Sequence, residues 1–94
     1  MKINDSQIPA LNPEFILEQF DNEILLYSVA GTKAVYLNET GYLVWGLCGE
    51  NRTIGKIIAL LEEAYPEQMQ YIRDDVITVI NNLAENRVIV LNNE

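Results

Sequence analysis

Histidine is absent from this chain, and cysteine occurs once, as Cys48. Without histidine there is no imidazole for acid–base catalysis and no His-ligated metal site. A single thiol excludes an internal disulfide. Cys48 lies in an apolar segment and reads as packing. Basic residues are also scarce, six against fourteen aspartates and glutamates, for a net charge of −8. Lys2, Lys33, Arg52, Lys56, Arg73 and Arg87 are scattered. They build no basic face of the kind that displaces counterions from nucleic-acid phosphates. An acidic membrane surface is disfavoured on the same ground, whereas a basic partner would be steered towards the chain. Long hydrophobic runs are missing too. The longest resemble Val88-Ile89-Val90-Leu91, far from the ~20 residues that span a bilayer. Met1-Lys2-Ile3-Asn4-Asp5 has no apolar signal-peptide core, so a cytoplasmic location is expected.

Catalytic sets are equally sparse. No glycine-rich phosphate loop or spaced Cys/His ligand pattern occurs. The carboxylate pairs Glu62-Glu63 and Asp74-Asp75 are adjacent in sequence. Neighbours on a helix point about 100° apart, so neither pair converges as an acid and base would. The expectation is a protein with no catalytic residues, no metal and no cofactor of its own.

What is present is a well-patterned globular chain of 94 residues, 49% apolar and 21% charged, which predicts one domain spanning 1–94. Residues 1–13, with Pro9 and Pro13, read as an extended, mobile lead-in. Glu14–Phe20, Glu23–Val29 and Lys33–Leu37 read as strands. Asp21-Asn22 and Ala30-Gly31-Thr32 turn the chain between them. Short turns make the three an antiparallel meander. The third strand stops at Asn38-Glu39-Thr40, polar residues of the kind that open helices. Its side chains alternate, with Val35 and Leu37 on one face and Ala34 and Tyr36 on the other. Which face meets the core is open at this stage.

A helix over about Thr40–Cys48 follows, with Gly49 suited to the left-handed position after it. Thr53 is the expected N-cap of a second helix, whose stripe is Ile54, Ile57, Ile58 and Leu61. Tyr65-Pro66 ends it. A third helix runs over about Glu67–Glu85. Its core stripe is Met69, Ile72, Val76, Val79, Ile80 and Leu83. Ile77 and Ala84 widen the apolar surface to one side, and Asp74, Asp75, Thr78, Asn82 and Glu85 form a solvated face. Asn86 is the expected left-handed C-terminal residue. Val88–Leu91 is a last short strand, and residues 92–94 are a polar tail. The expected fold is α+β: a three-stranded antiparallel meander packed on a winged helix-turn-helix bundle of three helices, with a short C-terminal strand.

A three-stranded meander leaves edges that an extended peptide can extend by backbone pairing, while alternate side chains fill pockets. A peptide laid along the third strand would have the third helix as its other wall, with Ile77, Ile80 and Ala84 as floor. A winged-helix nucleic-acid-binding or regulatory protein is the alternative. The carboxylates Asp74, Asp75 and Glu85 on its third helix oppose a phosphate backbone.

Leu37-Asn38-Glu39-Thr40, Val44-Trp45, Leu47-Cys48, Arg52-Thr53, Ile57, Asp75-Val76 and Leu83, in this order and spacing, resemble the PqqD family. Its members are the pyrroloquinoline quinone biosynthesis protein D and its relatives, the RiPP recognition elements. The resemblance covers roughly Pro9 to Leu91. It departs at Gly49-Glu50, where the family often has Asp-Gly, and at Asn86-Arg87, where a glycine is usual before the last strand. The resemblance implies a non-catalytic peptide chaperone of natural-product biosynthesis. Such proteins hold the leader of a ribosomally made precursor peptide and present it to a modifying enzyme, often a radical SAM enzyme. Carried over by position, the peptide-binding residues would be Lys33, Ala34, Val35, Tyr36 and Leu37 on the strand. Arg73, Val76, Ile77, Ile80, Asn81 and Ala84 would form the helix wall. The same open edge could pair with a second copy, giving a homodimer that hides the site.

Overall fold

The computed structural model describes residues 3–93; Met1, Lys2 and Glu94, at the ends of the expected lead-in and tail, lie outside them. The elements are β1 (Gln7–Leu11), β2 (Phe15–Phe20), β3 (Glu23–Ser28), β4 (Ala34–Leu37), α1 (Glu39–Leu47), α2 (Ile54–Ala64), α3 (Met69–Glu85) and β5 (Ile89–Asn93). A single 3-10 turn over Pro66–Gln68 precedes α3. β2, β3 and β4 form the expected antiparallel meander, in that spatial order. The three helices pack beneath it, and the α+β architecture is the one read from the sequence.

Residues 7–11 are the main departure. They are not a loose lead-in: β1 pairs antiparallel with β5, Pro9 opposite Leu91 and Ala10 opposite Val90. Proline has no N–H to give a ladder. Asn12 N–H bonds the Val88 carbonyl, and in that register Pro9 falls at a non-hydrogen-bonded position. Its missing N–H therefore faces away from β5, where a proline costs the ladder nothing. The Pro9 carbonyl instead accepts from Gly49 N–H at 3.1 Å, and the Asp5 carbonyl accepts from Gly55 N–H at 2.9 Å. The N-terminal segment is thus tied to the end of α1 and the start of α2. Asn92 and Asn93, expected as tail, belong to β5, which serves as the partner of β1.

The core gathers Leu26 and Val35 from the sheet, Val44 and Cys48 from α1, and Ile54, Ile57 and Ile58 from α2. Ile72, Val76, Ile80, Leu83 and Ala84 from α3 complete it with Val88 and Ile89. Met69, expected in the α3 stripe, is 51% exposed and stands in the first turn of α3. The sheet register settles the orientation of the third strand. Leu17, Leu26 and Val35 are cross-strand partners on the core face, so Val35 and Leu37 face inwards. Ile16, Tyr27 and Ala34 are partners on the outer face, as are Glu18, Leu25 and Tyr36.

Two polar caps join these pieces. Asn38 separates β4 from α1 by one residue, and its side-chain oxygen accepts from Gly41 N–H at 2.7 Å. Thr53 caps α2 by accepting from Lys56 N–H at 3.1 Å. The end of α3 differs from expectation: Asn86 has φ −88°, and Arg87 takes the left-handed backbone at φ 64°. Val88 N–H bonds the Leu83 carbonyl and Arg87 N–H the Ala84 carbonyl. That is the Schellman arrangement, in which the left-handed residue is the one after the cap.

Candidate functional site

Among the described residues β4 is an edge strand, paired with β3 on one side. Its free groups follow from the register. Ser28 N–H bonds the Lys33 carbonyl, so the pairs Ser28/Lys33, Leu26/Val35 and Ile24/Leu37 exchange the ladder bonds. Ala34 and Tyr36 lie at the intervening positions, and their N–H and C=O groups point away from β3. The edge therefore offers two donors and two acceptors over three residues. No backbone bond to another element engages either residue among the described residues.

Beside this edge lies a cleft of about 400 Å³. Tyr36, Leu37, Asn38 and Gly41 form one side, and Thr78, Val79, Asn82 and Glu85 of α3 form the other. A second cleft continues along α3 towards its N-terminus, between Glu39 and Leu43 of α1 and Gln68 and Asp75. Glu85 in the first cleft and Glu39 and Asp75 in the second give the trough negative charge. At the far end of the edge Lys33 donates from Nζ to the Asn86 carbonyl at 3.4 Å. That contact ties the start of β4 to the C-terminus of α3.

The structure brings the strand residues together as expected, but it divides the helix residues. Lys33, Ala34 and Tyr36 are exposed, Leu37 is half-buried, and Val35 is buried beneath the sheet. On α3, Val76, Ile80 and Ala84 are core residues with little surface to offer as a floor. The reason is helical phase: they share one stripe with Ile72 and Leu83, and α3 packs into the core against α1, α2 and β5. Arg73 and Ile77 lie on the flank that meets the N-terminal segment. Arg73 makes a bidentate ion pair with Asp5, both bonds 2.9 Å, and Ile77 shares a small depression with Ile3. The hydrogen bonds from the Arg73 guanidinium hold the Asp5 carboxyl below its ordinary value, against an opposing effect of burial and with a smaller contribution from the Arg73 charge. Asn81 alone of the six lines the cleft beside β4.

The wall that the sequence reading assigned to solvent is the one that faces β4: Thr78, Asn82 and Glu85, with Val79 at its base. Their spacing along one polar stripe was the available signal. Which flank of α3 that stripe meets depends on the placement of α1 and β4.

Residues 23–89 match the sequence model of PqqD, coenzyme PQQ synthesis protein D. The chain belongs to the PqqD family. The match runs from β3 to the start of β5, so the PqqD region holds both the open edge and the α3 wall. The PqqD fold is seen again in a solved structure described as TbiB1 in complex with the TbiA(beta) leader peptide. That structure is 16% identical to this chain, covers 85% of it and 93% of its own length, and superposes with a TM-score of 0.68. No curated protein matches the sequence. Among the described residues no helix is long and apolar enough to cross a membrane.

Proposed function

We propose that this PqqD-family protein binds the leader segment of a ribosomally synthesised precursor peptide by adding it as a strand to β4. The observation that carries the reading is the unpaired edge: Ala34 and Tyr36 direct their backbone groups into open space beside the α3 cleft. An incoming strand completes that ladder, and its alternate side chains enter the cleft between Tyr36 and Asn82. Membership of the PqqD family supports the reading, as does a structural neighbour whose description names a leader peptide. The acidic trough favours leaders carrying lysine or arginine. Lys33, Ala34, Val35, Tyr36 and Leu37 supply the strand. Asn81, Thr78, Asn82 and Glu85 supply the wall, with Val76, Ile80 and Ala84 holding it from within and Arg73 and Ile77 on its far flank.

The role is to hold and present. The leader stays on β4 while the core segment reaches a separate modifying enzyme, a radical SAM enzyme in this reading, and the protein itself catalyses nothing and carries no cofactor. Hydrogen exchange with a synthetic leader peptide tests the binding mode. The amides of Ala34 and Tyr36 should gain protection on binding, whereas those of Val35 and Leu37 are already bonded to β3. Binding without added protection at Ala34 and Tyr36 would place the peptide elsewhere.

A further inference from the structure

Among the described residues no element packs on the outer face of the meander, and its centre is apolar. Ile16 is 42% exposed, Phe20 51% and Tyr36 65%. The register puts all three on that face, with Leu25 and Tyr27 between them. Large side chains grouped in this way on a monomer mark an interaction surface more often than chance exposure. The same register adds Glu18, opposite Leu25, and Glu23, opposite Phe20. No lysine or arginine lies among the β2, β3 and β4 residues of this face. An apolar centre set among carboxylates fits a surface of opposite border. A second copy would bring carboxylates against carboxylates, on a chain of net charge −8, so self-association through this face is opposed.

We infer that the outer face of β2–β3–β4 docks a partner protein whose apolar patch is bordered by lysine and arginine, and that this partner is the enzyme that modifies the held peptide. The assignment of the partner rests on the leader-binding reading. The geometry allows both to be bound at once. A peptide on β4 lies in the plane of the sheet, and the enzyme lies above that plane. Tyr36 belongs to both, by its backbone at the edge and its ring on the face, so the held strand leaves the edge directly beside the docked enzyme.

The test uses the full chain, the purified peptide-modifying enzyme of its pathway, and a synthetic leader. Ile16→Glu combined with Phe20→Glu should weaken enzyme binding at least tenfold, measured by interferometry, and leave leader affinity within twofold. Glu18→Lys combined with Glu23→Lys keeps every apolar side chain and should weaken the enzyme comparably, with a melting temperature near wild type. Wild-type enzyme affinity should also fall as salt rises. Unchanged enzyme affinity in both variants overturns the inference, as would a wild-type dimer that the first variant dissolves. A wild-type protein that binds enzyme but no leader sinks the leader reading and leaves the docking face standing, so the two failures are distinguishable.

Discussion

Substituting proline at Tyr36 separates the edge from everything else β4 does. Its N–H points away from β3, so proline there removes no bond of the native ladder. Edge positions of this kind tolerate proline. Val35 is the contrast. Its N–H belongs to the Leu26/Val35 bonded pair, and its side chain is 7% exposed in the core. Val35→Pro should cost about 3 kcal/mol or more of stability, a large share of the ~5–15 kcal/mol that holds a small domain together.

For binding, the edge offers four backbone groups at Ala34 and Tyr36, and each ladder bond contributes about 0.5–1.5 kcal/mol net. Tyr36→Pro deletes one donor, and its ring obstructs the approach to the next. A loss of one to two bonds is about 0.5–3 kcal/mol, or roughly 2- to 150-fold in Kd. Calorimetry with the synthetic leader reads this loss, and circular dichroism confirms the fold. Tyr36→Ala keeps the donor and should lose less. A folded Tyr36→Pro protein that binds the leader with wild-type affinity would refute strand addition at β4.

Further outcomes concern the frame that holds the edge. Arg87→Gly should raise stability by about 1 kcal/mol, since Arg87 carries a side chain in left-handed backbone; thermal melting should show a rise of about 4–8 °C. Asn38→Ala removes the cap between β4 and α1 and should cost about 1 kcal/mol, read by urea denaturation. Burial pushes the Cys48 thiol up from 9.0 to about 12. A raised value stabilises the fold fully below pH 9, and that contribution is lost as pH rises towards 12. Cys48 should accordingly resist maleimide at pH 8 until the chain unfolds. Asp5→Asn should barely move the melting temperature, because the pair with Arg73 is half exposed.

Most of the fold is carried by short-range signals. Asp21 and Gly31 sit in left-handed backbone at the two hairpin turns, positions where aspartate and glycine are tolerated and most other residues are not. Asn38 and Thr53 announced two helix starts through the oxygen each offers a free amide. Alternation in Ala34–Leu37 marked a strand with two unlike faces. These features depend on neighbours a few residues apart, so composition and order suffice to read them.

Tertiary structure decided what depends on distant residues. Pro9 made residues 7–11 look like an unpaired lead-in, and only β5, about eighty residues on, shows that its missing donor faces away from the partner strand. The wall of the cleft was decided in the same way. Periodicity divides α3 into an apolar and a polar stripe, but it does not say which flank meets β4. The answer came from α1, which starts one residue after β4 and brings Gly41 against the α3 face of Thr78 and Asn82. Val76, Ile80 and Ala84 belong to the core because α3 turns their stripe inwards where it packs against α1, α2 and β5. The sequence alone established that an edge strand exists; packing determined which groups of α3 stand beside it.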